Sequence, residues 1–199
     1  MIDTVIFDLG GVLVDFRPYE GMEKLGFDEK TINTFKEKIF SGVWEECDRF
    51  PYEDNEIRDL FKKHIPEYSR EVDILWDNIS VITAVNDYSE EWLRSLKEKG
   101  LKLYILSNYG KQSFKINSKK YGFLRYVDGR VISYEYEYLK PEPQLYEELL
   151  KKYNINRETA VFIDDRKENV EGALKVGLNA LVFENFDSTN IKLMEMISE

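Results

Sequence analysis

Residues 5–16 read VIFDLGGVLVDF. Val5, Ile6 and Phe7 form an apolar, β-prone run of the kind buried on both faces of a parallel sheet. The run ends on a carboxylate, Asp8, and the Gly10-Gly11 pair follows after one more residue. A carboxylate at the end of a buried strand is costly unless a cation or hydrogen-bond donors meet it. The stretch therefore requires partners from elsewhere in the chain.

The wider sequence repeats this strand type. Runs at 4–8 (TVIFD), 102–106 (KLYIL), 131–134 (VISY), 160–164 (AVFID) and 179–183 (NALVF) are nearly continuous in apolar residues. Helical spacing separates the later ones. Tyr88, Trp92, Leu93 and Leu96 mark 88–99, which stops at Gly100; Leu145, Leu149, Leu150 and Tyr153 mark 143–153 after Pro143; 167–176 and 188–198 follow. Strands alternating with helices predict an α/β fold, a doubly wound, Rossmann-like parallel sheet.

The interval between the first two strands is far longer than a crossover needs. It holds helical patterns at 28–40, opened by Asp28 as N-cap, and at 54–63 and 67–78, punctuated by Pro51 and Pro66. The expected organisation is a core of 1–15 and 87–199 with a small helical cap domain, 16–86, inserted after the first strand. Linkers at Val14–Pro18 and Thr83–Asp87 would serve as its hinge. The run YEYEYLK (134–140) alternates like an edge strand or flap.

Bulk properties exclude several function classes. The 199 residues carry 38 acidic and 28 basic side chains, a formal charge of −10, and the basic residues form no stripe that could follow a phosphate backbone. Nucleic acid is not an expected partner. The single cysteine, Cys47, has no partner for a disulfide and no metal-ligand spacing around it, and is read as a packed thiol. No segment approaches ~20 apolar residues, and no basic n-region opens the chain, so neither membrane span nor signal peptide is expected. A cytoplasmic monomer or weak homodimer fits these features. His64, the lone histidine, follows Lys62-Lys63 and reads as surface; Trp44, Phe50 and Tyr52 read as core of the insert or as lining for a pocket.

Polar residues stand at the strand ends: Asp8 after the first, Ser107-Asn108 after the second, Asp164-Asp165 after the fourth, with Lys140 ahead of the helix at 143. Ligands of open parallel sheets bind beyond the carboxyl ends of the strands, where such residues converge. Their types suit phosphoryl transfer. Asp8 can act as nucleophile or metal ligand, paired carboxylates hold a hard cation such as Mg²⁺, Ser107 and nearby N–H groups can hold phosphoryl oxygens, and Lys140 offsets charge.

In order, FDLGGVLV (7–14), LYILSN (103–108), LKPEPQLY (139–146) and VFIDDRKENVEGA (161–173) resemble the four motifs of the haloacid dehalogenase-like hydrolases. The FDLGGVLVD opening, the position of the insert and the KPEP form look most like small sugar-phosphate phosphatases of the glucose-1-phosphate phosphatase type. The resemblance implies that Asp8 forms an aspartyl-phosphate, and that Asp8, the Gly10 carbonyl and Asp165 ligate Mg²⁺ with Asp164 and Asn169 in support. It also implies that Ser107 and the Asn108 backbone hold the phosphoryl group and that Lys140 bridges nucleophile and phosphate. The implied substrate is a small phosphorylated metabolite such as a sugar 1-phosphate.

One position departs from the resemblance. Phosphatases of the family carry a second Asp two residues after the nucleophile, as general acid and base, and here that residue is Gly10. Positioned proton transfer is worth about 10²- to 10⁴-fold in rate. Either the leaving group needs little help, or another carboxylate substitutes (Asp15, or Glu45 or Asp48 from the cap), or the chemistry is a metal-independent dehalogenase type. The Asp164-Asp165 pair speaks against the last, since adjacent acids repel without a cation. A weak or inactive member that binds a phosphometabolite or a protein is the alternative to an enzyme.

Overall fold

The computed structural model describes residues 1–198. Strand β1 (Thr4–Phe7) is buried along its whole length, and a tight turn follows in which the Leu9 carbonyl accepts from the N–H groups of Val12, Leu13 and Val14. The chain then runs through β2 (Val14–Phe16) into helices α1 (Pro18–Lys24) and α2 (Glu29–Phe35). Asp28 caps α2 as expected, its Oδ1 accepting from the Thr31 N–H at 2.8 Å. The expected helix over 28–40 changes pitch, however: Lys36–Val43 is π-helical and leads directly into α3 (Trp44–Arg49). Helices α4 (Asp54–His64) and α5 (Ser69–Asp77) complete the insert, and β3 (Thr83–Val85) returns to the sheet region. There follow α6 (Ser89–Glu98), β4 (Lys102–Ser107), α7 (Lys111–Asn117), β5 (Gly129–Ile132), α8 (Pro143–Tyr153), β6 (Ala160–Asp164), α9 (Lys167–Lys175), β7 (Asn179–Val182) and α10 (Phe186–Ser198).

The main sheet has the order β5-β4-β1-β6-β7, all parallel. Connections run outward in one direction from β1 and in the other from β6. The reversal therefore falls between these two neighbours, which is where open α/β sheets bind ligands. Successive side chains on a strand point to opposite faces. Val5 and Phe7 accordingly join a cluster with Trp92, Leu93, Leu96 and Leu193, while Ile6 joins Leu106, Phe162, Tyr146 and Leu149 on the other face.

The inserted helices bury a separate cluster that includes Phe35, Ile39, Cys47, Ile57, Phe61, Val72 and Trp76. The segments expected as linkers are ordered: β2 and β3 pair antiparallel, with Val14 opposite Val85 and Phe16 opposite Thr83. Both runs are short and carry residues of high β-propensity, and pairing satisfies backbone groups that a bare linker would leave to water. The YEYEYLK run is not an edge strand either. β5 ends at Ile132, Ser133–Glu135 forms a 3₁₀ turn, and Glu137 takes a positive φ of 61°. Among the described residues no helix is long and apolar enough to cross a membrane.

Phe162 lies fully buried on β6, edge-on to Tyr146 at 5.7 Å between ring centroids. Phe162→Ala is expected to cost about 3–5 kcal/mol of folding stability through lost burial and the cavity left behind, as measured by urea unfolding of the two proteins.

Candidate active site

Asp8 is the first residue beyond β1, and its backbone N–H still donates to the Ile163 carbonyl of β6 at 2.9 Å. Its side-chain Oδ1 accepts from the Leu9 N–H at 2.7 Å and lies 2.9 Å from Lys140 Nζ. The same ammonium lies 2.6 Å from Asp164 Oδ2. Lys140 is thus held between the ends of the two central strands, buried, with its Nζ 5.3 Å from the centroid of the Phe162 ring. Its backbone is fixed as well: the Asn108 side chain donates to the Lys140 carbonyl at 3.1 Å and accepts from its N–H at 2.8 Å. That pair occupies the Asn108 amide and leaves this residue's backbone for any substrate.

Asp164, also buried, accepts from Asn169 Nδ2 at 3.0 and 3.1 Å and from the Arg166 N–H at 2.9 Å. Asp165 faces the open side instead. Carboxylate oxygens of Asp8, Asp164 and Asp165 lie within 4.8 Å of one another. Desolvation raises the Asp8 carboxyl to about 7, with Lys140 pulling it down and Asp164 pushing it up. Burial disfavours the charge on Lys140, yet Asp164 and Asp8 outweigh it and hold the ammonium above its ordinary value. Asp165 is raised by desolvation first and by Asp164 second.

This group of acids fits a hard divalent cation, which oxygen donors would ligate. Three observations carry the fit. The carboxylates converge with a single ammonium among them. Asn169 Oδ1 and Ser107 Oγ are buried with no hydrogen-bond partner among the described residues. Gly11, at φ +71°, makes room for Asp165: a Cβ there would sit 2.3 Å from Asp165 Oδ2.

The cluster opens into a cavity of about 840 Å³ that runs up between the sheet and the insert. Gly10, Asn108, Arg166 and Asn169 line its floor, and Phe16, Phe40 and Trp44 its upper wall. Phe40 and Trp44 pack at 5.0 Å between centroids and Phe16 and Trp44 at 5.6 Å. Trp44 therefore serves both readings made of it, lying against the insert's core and lining the cavity. Ser107 is buried at the end of β4, its hydroxyl without a hydrogen-bond partner among the described residues. Outside this region lie His64, exposed, with Nδ1 2.9 Å from the Leu60 carbonyl, and Cys47, whose thiol burial pushes up to about 12.

Three carboxyls reach the cavity from the insert and its ribbon. Asp15 is paired with Arg17, Glu45 is exposed, and Asp48 is partly buried in the wall. Asp48 sits at the C-terminal end of α3, where that helix meets the core. Its backbone carbonyl accepts from Ser133 Oγ at 2.5 Å, and the nearby Gly110 N–H favours the charged form of its carboxyl. Its neighbour Arg49 forks onto Glu142, at 3.2 Å and 2.5 Å. Gly110 has no side chain to obstruct this approach; a Cβ there would lie 2.9 Å from the Cys47 carbonyl. No sequence pattern singled out Gly110 or Ser133, because their role depends on a helix arriving from the insert.

A haloacid dehalogenase-like hydrolase family model matches residues 2–177. The chain belongs to this family. It is 25% identical to a sesquiterpene phosphatase of Aspergillus oryzae over 98% of its own length and 96% of that protein's. It is also 25% identical to a phosphorylated carbohydrates phosphatase of Thermotoga maritima, over 90% and 84%. A HAD family enzyme of Bacteroides thetaiotaomicron, crystallised with magnesium and inorganic phosphate, shares the fold with a TM-score of 0.76 and 24% identity, covering 95% of this chain and 99% of that one.

Desolvation and the repulsion of Glu45 and Asp8, against the Gly110 N–H and Lys140, push the Asp48 carboxyl from its ordinary 3.8 to about 8. Between those values the folded chain holds a proton that the unfolded chain releases, so this carboxyl costs stability progressively as pH rises through the window. Asp48→Asn keeps an acceptor for Gly110 and removes the titration. Its melting temperature relative to the parent protein is expected to rise from acid pH to about pH 8 and to level off above, as followed by circular dichroism in metal-free buffer.

Proposed function

We propose that this hydrolase is a Mg²⁺-dependent phosphatase that releases inorganic phosphate from a small phosphorylated metabolite through an aspartyl-phosphate on Asp8. The observation that carries the reading is Lys140 at 2.9 Å from the Asp8 carboxylate and 2.6 Å from Asp164, at the reversal point of the sheet. The ammonium favours the ionised form of this carboxylate against desolvation and fixes its direction, as a nucleophile needs.

In this reading Asp8, Asp165 and the Gly10 carbonyl would hold the Mg²⁺, with Asp164 and Asn169 supporting them. The cation supplies charge stabilisation for the transferring phosphoryl oxygens when bound. The remaining steps belong to the chain's own groups. Asp8 attacks phosphorus, the ester oxygen departs, and water later releases phosphate from the aspartyl group. Lys140 neutralises charge on the phosphoryl group as it moves between the two oxygens. The buried, unpartnered Ser107 hydroxyl and the backbone at Asn108 offer donors to the same oxygens.

The cavity of about 840 Å³ suits a metabolite and not a protein surface. Its wall of Phe16, Phe40 and Trp44 offers faces on which a sugar ring or another largely apolar body can lie. Sugar phosphates are the first substrates to test, sugar 1-phosphates among them. Relatives named for phosphorylated carbohydrates and for D-ribitol-5-phosphate support that choice, and the sesquiterpene phosphatase adds prenyl phosphates to the panel.

Asp8→Asn should lower phosphate release at least about 10³-fold, as expected for loss of a covalent nucleophile. EDTA should abolish the parent activity and Mg²⁺ restore it. Equal release with and without metal would overturn the Mg²⁺ assignment. In Gly11→Ala the added methyl displaces Asp165, so Mg²⁺ affinity, measured by titration calorimetry, should fall while the melting profile of the metal-free protein keeps a single cooperative transition.

A further inference from the structure

We propose that Asp48 of the inserted helices is the proton donor to the leaving group, and the proton acceptor from the attacking water, in place of the side chain absent at Gly10. The inference rests on the phosphatase reading and adds a residue to it. An alkoxide expelled from phosphorus needs a proton, and nothing at Gly10 can give one. The space beside it is open, since a Cβ on Gly10 would meet no atom within 4 Å. The donor must then reach in from another wall.

Elimination among the cavity's carboxyls leaves one residue. Asp8 is the nucleophile, Asp165 faces the cation position, and Asp164 is held by Lys140 and Asn169. Asp15 is paired with Arg17, and Glu45 is exposed to bulk water. Asp48 remains, entering from the insert with its backbone anchored to the core. Ser133 holds its backbone carbonyl, and Arg49 beside it is forked onto Glu142 and donates to the Glu137 carbonyl at 3.1 Å.

Its protonation state suits the task. The groups facing it are Glu45 on its own helix, Asp8 and Lys140 from the sheet side, and the Gly110 N–H. Their balance with desolvation keeps the carboxyl protonated at neutral pH and able to ionise close by, the condition for an efficient acid that must also serve as base.

The steps balance. In the first, an Asp8 oxygen bonds to phosphorus, the bond to the ester oxygen breaks, and that oxygen takes the Asp48 proton and leaves as the alcohol. In the second, water attacks the aspartyl-phosphate and gives a proton to the Asp48 carboxylate. The acyl–phosphate P–O bond breaks, and inorganic phosphate leaves. Because Asp48 rides on the insert, the acid is complete only when α3 is seated against Gly110 and Ser133.

The test uses two phosphate esters with the Mg²⁺-loaded protein. 4-Nitrophenolate leaves without a proton; the alkoxide of a primary alkyl phosphate does not. Leaving-group release is followed in a single turnover, so that hydrolysis of the aspartyl-phosphate is not counted. For Asp48→Asn the alkyl ester should slow by about 10²- to 10⁴-fold and the nitrophenyl ester by less than about tenfold. Gly10→Asp in the Asp48→Asn background should return at least about tenfold of the alkyl rate, since the new side chain finds open space. Equal slowing of both esters, no slowing of the alkyl ester, or a double variant no faster than Asp48→Asn would overturn the assignment. A parent protein whose phosphate release does not depend on Asp8 would instead remove the phosphatase reading, and this inference with it.

Discussion

Lys140 is the constraint on which the rest of the site depends. Its ammonium is almost inaccessible, with Asp8 at 2.9 Å and Asp164 at 2.6 Å. Removing one member of such a buried group leaves an uncompensated charge and typically costs several kcal/mol, whereas the intact group need contribute little net stability. Its value lies in geometry. Asp8 belongs to β1, Asp164 to β6 and Lys140 to the segment before α8, so one cation joins three parts of the chain that backbone pairing alone would leave free to shift. The charge balance is deliberately incomplete in the physical sense that three acids meet one ammonium. Residual negative charge of this kind suits a divalent cation, while the Asp8 carboxyl is raised first by desolvation, with Asp164 adding to the rise and Lys140 opposing it.

The fold supplies the geometry through strand periodicity. Ile6 and Phe162 point to the same side of the sheet, and two residues further along, Asp8 and Asp164 point the same way from the strand ends. Lys140 approaches across the Phe162 ring, so an apolar residue defines one wall of the ammonium's surroundings while the carboxylates define the others. A carboxylate in a low-dielectric setting interacts more strongly with its neighbours and costs more to ionise. The Leu9 N–H at 2.7 Å and the ammonium offset part of that cost.

Much of this was legible in the sequence because it is local or periodic. Continuous apolar runs marked the five parallel strands, helical spacing marked α6, α8, α9 and α10, and the Asp28 cap fell where α2 begins. Polar residues at strand ends named Asp8, Ser107, Lys140, Asp164 and Asp165, because a parallel sheet gathers its carboxyl ends by construction. What escaped was non-local or depended on small differences. Val14–Phe16 and Thr83–Val85 are too short to register as strands until each meets the other across the whole insert. The π-helical Lys36–Val43 has the composition of an ordinary helix. YEYEYLK alternates like a strand, yet lies where the chain must turn toward Lys140, and the turn prevailed over the pattern. The backbone of Asn108 was read as part of a ligand site, and the clamp that its side-chain amide places on the Lys140 backbone was not foreseen, because it joins two loops 32 residues apart.

The junction between insert and core follows a different physical rule from either body. Each has its own apolar cluster, with Ile116 of α7 packing against that of the insert, and the contacts where α3 and the start of α4 meet the core are largely polar: Arg49 with Glu142, Glu53 with Lys111 and Gln112, Ser133 with the Asp48 carbonyl. Partly exposed ion pairs of this kind are worth about 0–1 kcal/mol each. They are therefore poor glue and good alignment, since a forked arginine accepts its carboxylate in one orientation only. An interface so composed costs little to part and specifies one seating of α3. An apolar junction of equal area would hold the two bodies together more strongly and specify the position of α3 less. The polar junction thus trades strength for register, and register is what a proton transfer over one hydrogen-bond length demands.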